Sequence, residues 1–248
     1  MKDLHVHTTF SDGANTPREM IEAAIEKGLT VIGFSDHSYT SFDESYCLKK
    51  GFLTKYVDEI NALKKEYADK IEVKLGLEQD YFSDYPSFDF DYLIGSVHYV
   101  KVGAEYLPVD ESQDIFVENV NKYFGGDYYA FAKHYYELLG DVPTKTGADI
   151  LGHFDLVVKF NEGDKLFSTK DERYSTAWKQ AADKLLKTDI VFEVNTGAVS
   201  RGYKKTPYPS FEIIEYLKTR GGKFVLSSDS HSSRGLCYAF SEFEYLLK

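Results

Sequence analysis

Leu4-His5-Val6-His7-Thr8-Thr9-Phe10-Ser11-Asp12-Gly13 is the stretch from which the rest of the chain can be read. Leu4 to Val6 is a short strand-like run. His5 and His7 stand two apart, so on an extended chain both imidazoles project to the same face. Asp12 follows in the next turn. One such pair on one strand is usually ordinary polar surface. Here the pattern repeats along the chain. Asp36 and His37 follow the run Leu29 to Phe34, Glu78 follows Ile71 to Leu77, and His98 follows Tyr92 to Val97. His153 follows Ile150-Leu151-Gly152, Glu193 and Asn195 come from the run beginning at Ile190, and Asp229 and His231 follow Phe224 to Ser227. Six of the seven histidines stand where an apolar run stops. His134, in Ala132-Lys133-His134-Tyr135-Tyr136, is the exception and reads as a structural or surface residue on a helix.

Amphipathic stretches separate these runs. Thr16-Pro17-Arg18-Glu19 has the form of an N-cap with proline at the first helical position. Met20, Ile21, Ala24 and Ile25 then recur at helical spacing up to Gly28. Further helices are expected near residues 52–67, 128–139, 171–186 and 210–217. Residues 99–127 are less regular: a small hairpin and a helix are expected, long enough to act as a lid. About seven β-then-α units imply a parallel sheet, either doubly wound or closed as a barrel. The first strand is not followed by G-x-G-x-x-G, which weakens the dinucleotide-binding version. In a parallel α/β barrel the chemistry sits at the C-terminal ends of the strands, where these imidazoles and carboxylates fall.

Composition narrows the function classes. The chain has 248 residues, 43% apolar and 28% charged, enough for a full core, and reads as one domain over residues 1–248. Its net charge of -11 disfavours nucleic acid and anionic membranes as partners. No apolar stretch approaches the roughly 20 residues that span a bilayer. Met1-Lys2-Asp3 leads straight into the first strand without a secretory signal, and Cys47 and Cys237 form no C-x-x-C pair. A cytoplasmic protein with free thiols is expected. The oligomeric state is left open.

Nine residues are candidate ligands: His5, His7, Asp12, His37, Glu78, His98, His153, Asp229 and His231. Imidazole with carboxylate and no thiolate suits Zn, Mn, Fe or Co. Nine exceed what one ion needs, so two or three ions sharing a bridging carboxylate are expected. Closely spaced divalent ions are suited to hydrolysing phosphate esters, because they activate water and neutralise phosphoryl charge.

The order of motifs carries a resemblance. Leu4 to Gly13 resembles the opening motif of the polymerase-and-histidinol-phosphatase (PHP) superfamily. Ser35-Asp36-His37, Gly76-Leu77-Glu78, Gly95-Ser96-Val97-His98, Gly152-His153 and Ser228-Asp229-Ser230-His231 resemble its later motifs, in order. Chain length and the segment Asp91 to His98 resemble the stand-alone histidinol-phosphate phosphatases of that family. The resemblance implies a distorted (β/α)7 TIM-like barrel with three divalent ions, Zn, Mn or Fe. It implies His5, His7, Glu78 and Asp229 around one ion, Asp12, His37 and His231 around a second, and Glu78, His98 and His153 around a third, with Glu78 bridging. Many histidinol phosphatases of the family carry a histidine in the first loop, where this chain has Asp12.

The family places cationic phosphate contacts after the fifth and sixth strands, which points to Lys159 and Arg201. Arg suits bidentate phosphate contact and Lys acts as a point charge. Arg18 and Arg234 are weaker candidates. Asp36 and Asp155 could orient metal-bound imidazoles or cap helices, and Glu193 could support the site from the sixth strand. Asp229 and His231 are candidates for proton handling as well as for metal. The implied reaction is hydrolysis of L-histidinol phosphate to L-histidinol and phosphate, a step of histidine biosynthesis. The alternatives are a nucleotide or oligonucleotide end as substrate, or a non-catalytic metal-binding module.

Overall fold

The computed structural model describes residues 1–84, 86 and 88–247. Its strands are β1 (Lys2–Asp3), β2 (Val31–Phe34), β3 (Glu72–Asp80), β4 (Tyr92–Ser96), β5 (Tyr99–Val102), β6 (Glu105–Pro108), β7 (Ile150–Leu151), β8 (Val191–Asn195) and β9 (Lys223–Ser227). Its helices are α1 (Pro17–Glu26), α2 (Leu53–Glu66), α3 (Gln113–Phe124), α4 (Tyr128–Leu139), α5 (Val142–Thr146), α6 (Glu172–Leu185), α7 (Gly197–Ser200), α8 (Phe211–Lys218) and α9 (Phe240–Phe243). Seven strands form one sheet in the order β1-β2-β3-β4-β7-β8-β9, and β5 and β6 form a separate antiparallel hairpin. Every neighbouring pair in the large sheet is parallel.

The first and last strands meet. Beyond β1 the chain reaches Val6, which bridges Ser230 in the parallel sense. The His7 amide donates to the Ser230 carbonyl at 2.9 Å, and the Ser230 amide to the His5 carbonyl at 3.1 Å. The buried Asp3 carboxylate reinforces the join, accepting from the Ser228 amide (3.0 Å), the Ser228 hydroxyl (2.5 Å) and the Cys237 amide (3.1 Å). The result is a nearly closed, distorted (β/α)7 barrel, as the alternation and the resemblance implied.

One end of the barrel interior is apolar and the other polar. Leu4, Tyr92, Ile94, Ile150 and Val225 fill the apolar end. The Tyr92 ring lies across it, its hydroxyl donating to the carbonyls of Leu4 (2.6 Å) and Phe34 (3.1 Å). Gly33 and Gly76 make room for that ring: a Cβ would stand 2.4 Å from the Tyr92 hydroxyl oxygen at Gly33 and 2.3 Å from ring carbon Cζ at Gly76. Outside, α1 begins as its sequence predicts, with Thr16 and Glu19 forming a reciprocal capping box and Pro17 in the first turn. It buries Met20, Ile21 and Ala24. α6 buries Tyr174, Ala177, Trp178 and Leu185 and packs on α4.

Element boundaries differ from the expectations in instructive places. β1 is only two residues long, because the chain turns inward after Asp3 and resumes pairing at Val6. β3 runs three residues past Leu77, so Glu78 lies on the strand rather than after it. Asn195 likewise ends β8. Residues 99–127 hold the expected hairpin and helix, as β5, β6 and α3. The short helices α5, α7 and α9 were not anticipated, since four or five residues carry no readable period.

Candidate metal centre

Alternation along β3 places Gly76, Glu78 and Asp80 on one face. Gly76 meets Tyr92 at the apolar end, and one step up Glu78 enters the polar end with 1% of its surface exposed. Five imidazoles surround its carboxylate. Oε2 lies 2.8 Å from His37 Nδ1, 3.2 Å from His5 Nε2 and 3.6 Å from His7 Nε2. Oε1 lies 3.0 Å from His153 Nε2 and 3.5 Å from His98 Nε2, and accepts from the Ser96 hydroxyl at 2.5 Å. Asp229 Oδ1 stands 3.3 Å from His7 Nε2 and 3.8 Å from His5 Nε2. Asp12 is at the solvent side, with 32% of its side chain exposed, 3.3 Å from His231 Nε2 and 3.8 Å from His37 Nε2. The His7 and His231 rings stack at 4.1 Å.

All nine candidate ligands therefore converge. Donor atoms of His7, Asp12, His37 and His231 lie within 4.8 Å of one another, as do those of His5, His7 and Asp229 and those of His37, Glu78 and His98. The sets share members, His7 between two and His37 between two. The implied set of Glu78, His98 and His153 meets through Glu78 Oε1.

The donors fit divalent ions. Among the described residues, His5 Nε2, both ring nitrogens of His7 and Glu78 Oε2 are buried without a hydrogen-bond partner. A buried polar atom left unpaired costs about 1–3 kcal/mol, and several together at one point need a common partner. A divalent ion supplies one. Burial would lower His5, His37 and His98, but the carboxylates around them raise all three, so these rings must shed a proton to ligate. The His7 imidazole is pushed down to about 3 by burial and by the neighbouring His231 and His37, so it is neutral and free to ligate. Burial alone would raise the Glu78 carboxyl, but His5, His37 and His98 outweigh it and hold the group well below the usual carboxylate range. Asp229 is likewise held low against burial, mainly by Arg201 and His5. His98 is raised to about 9, Glu78 and Asp80 outweighing its burial.

A cavity of about 430 Å³ opens onto these groups. Arg201 and Lys159 both line it. Arg201 Nη2 donates to Asp229 Oδ2 (3.1 Å), and Nη1 donates to the Asp229 carbonyl (3.0 Å) and lies 3.1 Å from His231 Nδ1. Lys159 Nζ donates to the Asp110 carbonyl (2.7 Å) and Oδ2 (3.1 Å). Arg18 is elsewhere, paired with Glu66 and Tyr67 on the outer face of α1 and α2. Arg234 is exposed and outside the cavity lining. His134 sits half-buried on α4 with its ring against Phe124.

Of the supporting carboxylates the sequence suggested, Asp36 departs from both expected roles, whereas Asp155 and Glu193 fit theirs. Asp36 touches no imidazole nitrogen within bonding distance; it accepts from the amides and hydroxyls of Thr8 and Ser11, shaping the loop that carries Asp12. Asp155 accepts from the Ser210 amide at the start of α8. Glu193, by contrast, reaches His5 Nδ1 at 2.6 Å. Asp80, which the sequence reading missed, reaches His98 Nδ1 at 3.3 Å and accepts from the His98 amide at 3.1 Å. Its signal was its place two residues after Glu78, on the same face of an extended chain.

The family model for the PHP domain matches residues 3–197. The chain belongs to the PHP family. Among PHP relatives, a Deinococcus radiodurans protein named "Probable histidinol-phosphatase" is 30% identical, with 97% of this chain and 90% of that protein covered. A solved chain from Listeria monocytogenes superposes with a TM-score of 0.84 at 21% identity, covering 98% of this chain and 100% of that one. A Lactococcus lactis histidinol phosphate phosphatase, solved with Zn, L-histidinol and phosphate, superposes with a TM-score of 0.73 at 24% identity, covering 99% and 92%. The PHP match ends before Asp229 and His231, which β9 nevertheless brings to the same centre.

Proposed function

We propose that this PHP-family chain is a metal-dependent phosphomonoesterase that hydrolyses L-histidinol phosphate to L-histidinol and phosphate. The observation that carries the phosphatase reading is the meeting of two features in one cavity. A buried imidazole–carboxylate cluster with unsatisfied donors lies beside Arg201 and Lys159. The histidinol part rests on relatives: the D. radiodurans name, and the L-histidinol and phosphate held by the L. lactis enzyme.

Three ions are proposed: one on His5, His7, Glu78 and Asp229, one on Asp12, His37 and His231, and one on Glu78, His98 and His153. Zinc is favoured by the L. lactis structure, with Mn and Fe compatible with the donors. Such ions supply Lewis acidity toward the phosphoryl oxygens and lower the pKa of water. The chain's own residues do the rest. Arg201 uses only part of its five-donor fork on Asp229 and His231, leaving N–H groups for phosphoryl oxygens. Lys159, fixed by Asp110, adds a second positive charge. Asp229 and His231 are placed to handle protons as water adds to phosphorus and the ester oxygen leaves as an alcohol.

The test is steady-state kinetics of the zinc- or manganese-loaded protein on histidinol phosphate, mononucleotides and a 3′- or 5′-phosphorylated oligonucleotide. A kcat/KM for histidinol phosphate at least tenfold above the others is expected. Comparable values across the panel would remove the histidinol assignment, and no turnover on any ester would remove the phosphatase reading.

A further inference from the structure

Glu193 is fully buried inside the barrel wall, on the same face of β8 as Asn195. A carboxylate there is costly unless both oxygens are fully used. They are. Oε1 lies 2.6 Å from His5 Nδ1, and Oε2 accepts from the His153 amide (2.9 Å) and the Asn195 side-chain amide (2.9 Å). The same Asn195 amide nitrogen reaches Asp229 Oδ2 at 3.3 Å. One side chain thus touches His5 through its ring and His153 through its backbone, and reaches Asp229 through Asn195. All three are proposed ligands. Glu193 itself belongs to none of the three donor sets.

We infer that Glu193 is a positioning residue of the metal centre: it holds the proton on His5 Nδ1, so that Nε2 presents its lone pair inward, and it fixes His153 and Asp229 around the same point. The geometry supports this assignment of the imidazole. Oε1 has no proton to offer at 2.6 Å unless the carboxyl is protonated, and its two neighbours on Oε2 are both donors, so the carboxylate acts as acceptor throughout. His5 Nε2 is buried, without a hydrogen-bond partner among the described residues, and 3.2 Å from Glu78 Oε2. A carboxylate on the outer nitrogen of a ligating imidazole sets its tautomer and raises its basicity.

The inference rests on the metal reading of this centre but not on the identity of the phosphate ester, so its test reads metal rather than turnover. In the wild-type zinc-loaded protein, 15N-edited NMR of the histidine rings should show His5 protonated at Nδ1 and not at Nε2. Zinc affinity is then measured by chelator competition in wild type and Glu193→Gln. Gln keeps the size and one acceptor but replaces the other with an NH2 group that cannot accept from His153 and Asn195. The expected result is a 10–100-fold loss of affinity for the ion on His5, His7, Glu78 and Asp229 and a smaller loss for the ion on Glu78, His98 and His153, with the ion on Asp12, His37 and His231 held as in wild type. Asn195→Ala, which leaves the His5 contact intact, should lose less. A His5 ring protonated at Nε2 overturns the proposal without any variant. So does Glu193→Gln zinc affinity within twofold of wild type in a folded protein. Absence of any zinc binding in the wild type would instead defeat the metal reading itself.

Discussion

Asp12 and Arg201 show how much one side chain can decide at this site. Asp12 is the most exposed of the nine candidate ligands, yet three imidazoles surround it, His231, His37 and His7, at 3.3, 3.8 and 3.9 Å. A carboxylate and an imidazole can both complete such a set. Asp12→His should therefore retain the full metal complement, whereas Asp12→Ala should lose one ion and most turnover; equal metal content in Asp12→Ala, measured by elemental analysis, would remove Asp12 from the set. Arg201 has a different role, joining Asp229 to the cavity. Arg201→Ala should lower kcat/KM by roughly 10²–10³, the usual cost of one donor to a developing oxyanion. Arg201→Lys should recover only part, because an ammonium cannot hold Asp229 and a phosphoryl oxygen in one planar fork. Metal content measured beside the kinetics separates lost phosphate contact from a loosened Asp229. Kinetic constants within twofold of wild type would place Arg201 outside the reaction.

At the scale of elements, the metal end depends on how the apolar end is packed. β2 and β3 can approach Tyr92 only because Gly33 and Gly76 lack side chains. Gly76→Ala should cost about 1–3 kcal/mol through overpacking, read as a lowered urea midpoint with unchanged slope. In a Tyr92→Leu background the same change should cost much less, since the ring it meets is gone. An equal cost in both backgrounds would mean that the contact is not what constrains the glycine. This packing was invisible in the sequence, where Gly76 read only as part of Gly76-Leu77-Glu78. The strand ends themselves were legible, because each apolar run stops at an imidazole or carboxylate and the alternation of runs implies a parallel barrel. What could not be read was where strands continue through polar residues. β3 carries Glu78 and Asp80 inside the sheet, and an apolar-run criterion ends it too early. Asp36 was misread for a related reason: its partners, Thr8 and Ser11, lie on a loop whose path over the strand ends has no local sequence signature. Glu193 was located on its strand, but its partners come from the segment after β1 and the loop after β7, which only the closed barrel brings together.

For the whole molecule, the concentration of buried titratable groups at one end of the barrel makes stability conditional on metal. His5, His7, Glu78, His153 and Asp229 are buried together, and several of their polar atoms have no protein partner. Ions that bind the native state alone stabilise it by RT ln(1 + [M]/Kd), about 4 kcal/mol when free metal exceeds Kd a thousandfold. Removing metal with a chelator should therefore lower the thermal midpoint by several degrees, and adding zinc back should restore it in a concentration-dependent way. The direction with pH follows from the ligands. An imidazole must shed its proton to ligate, so binding releases protons and the metal-dependent part of the stability grows as pH rises through the imidazole range. The gap in midpoint between loaded and stripped protein should accordingly be small near pH 5 and wide near pH 8. His7 is already neutral at both, being held down to about 3, so it contributes little to that slope; His5 and His98, both raised against their burial by neighbouring carboxylates in the stripped protein, contribute more. Differential scanning fluorimetry across that range, with and without chelator, checks both statements. A gap that is constant with pH would mean that metal is not competing with protons for these rings. The absence of any gap would mean that the barrel tolerates its unpaired donors without metal.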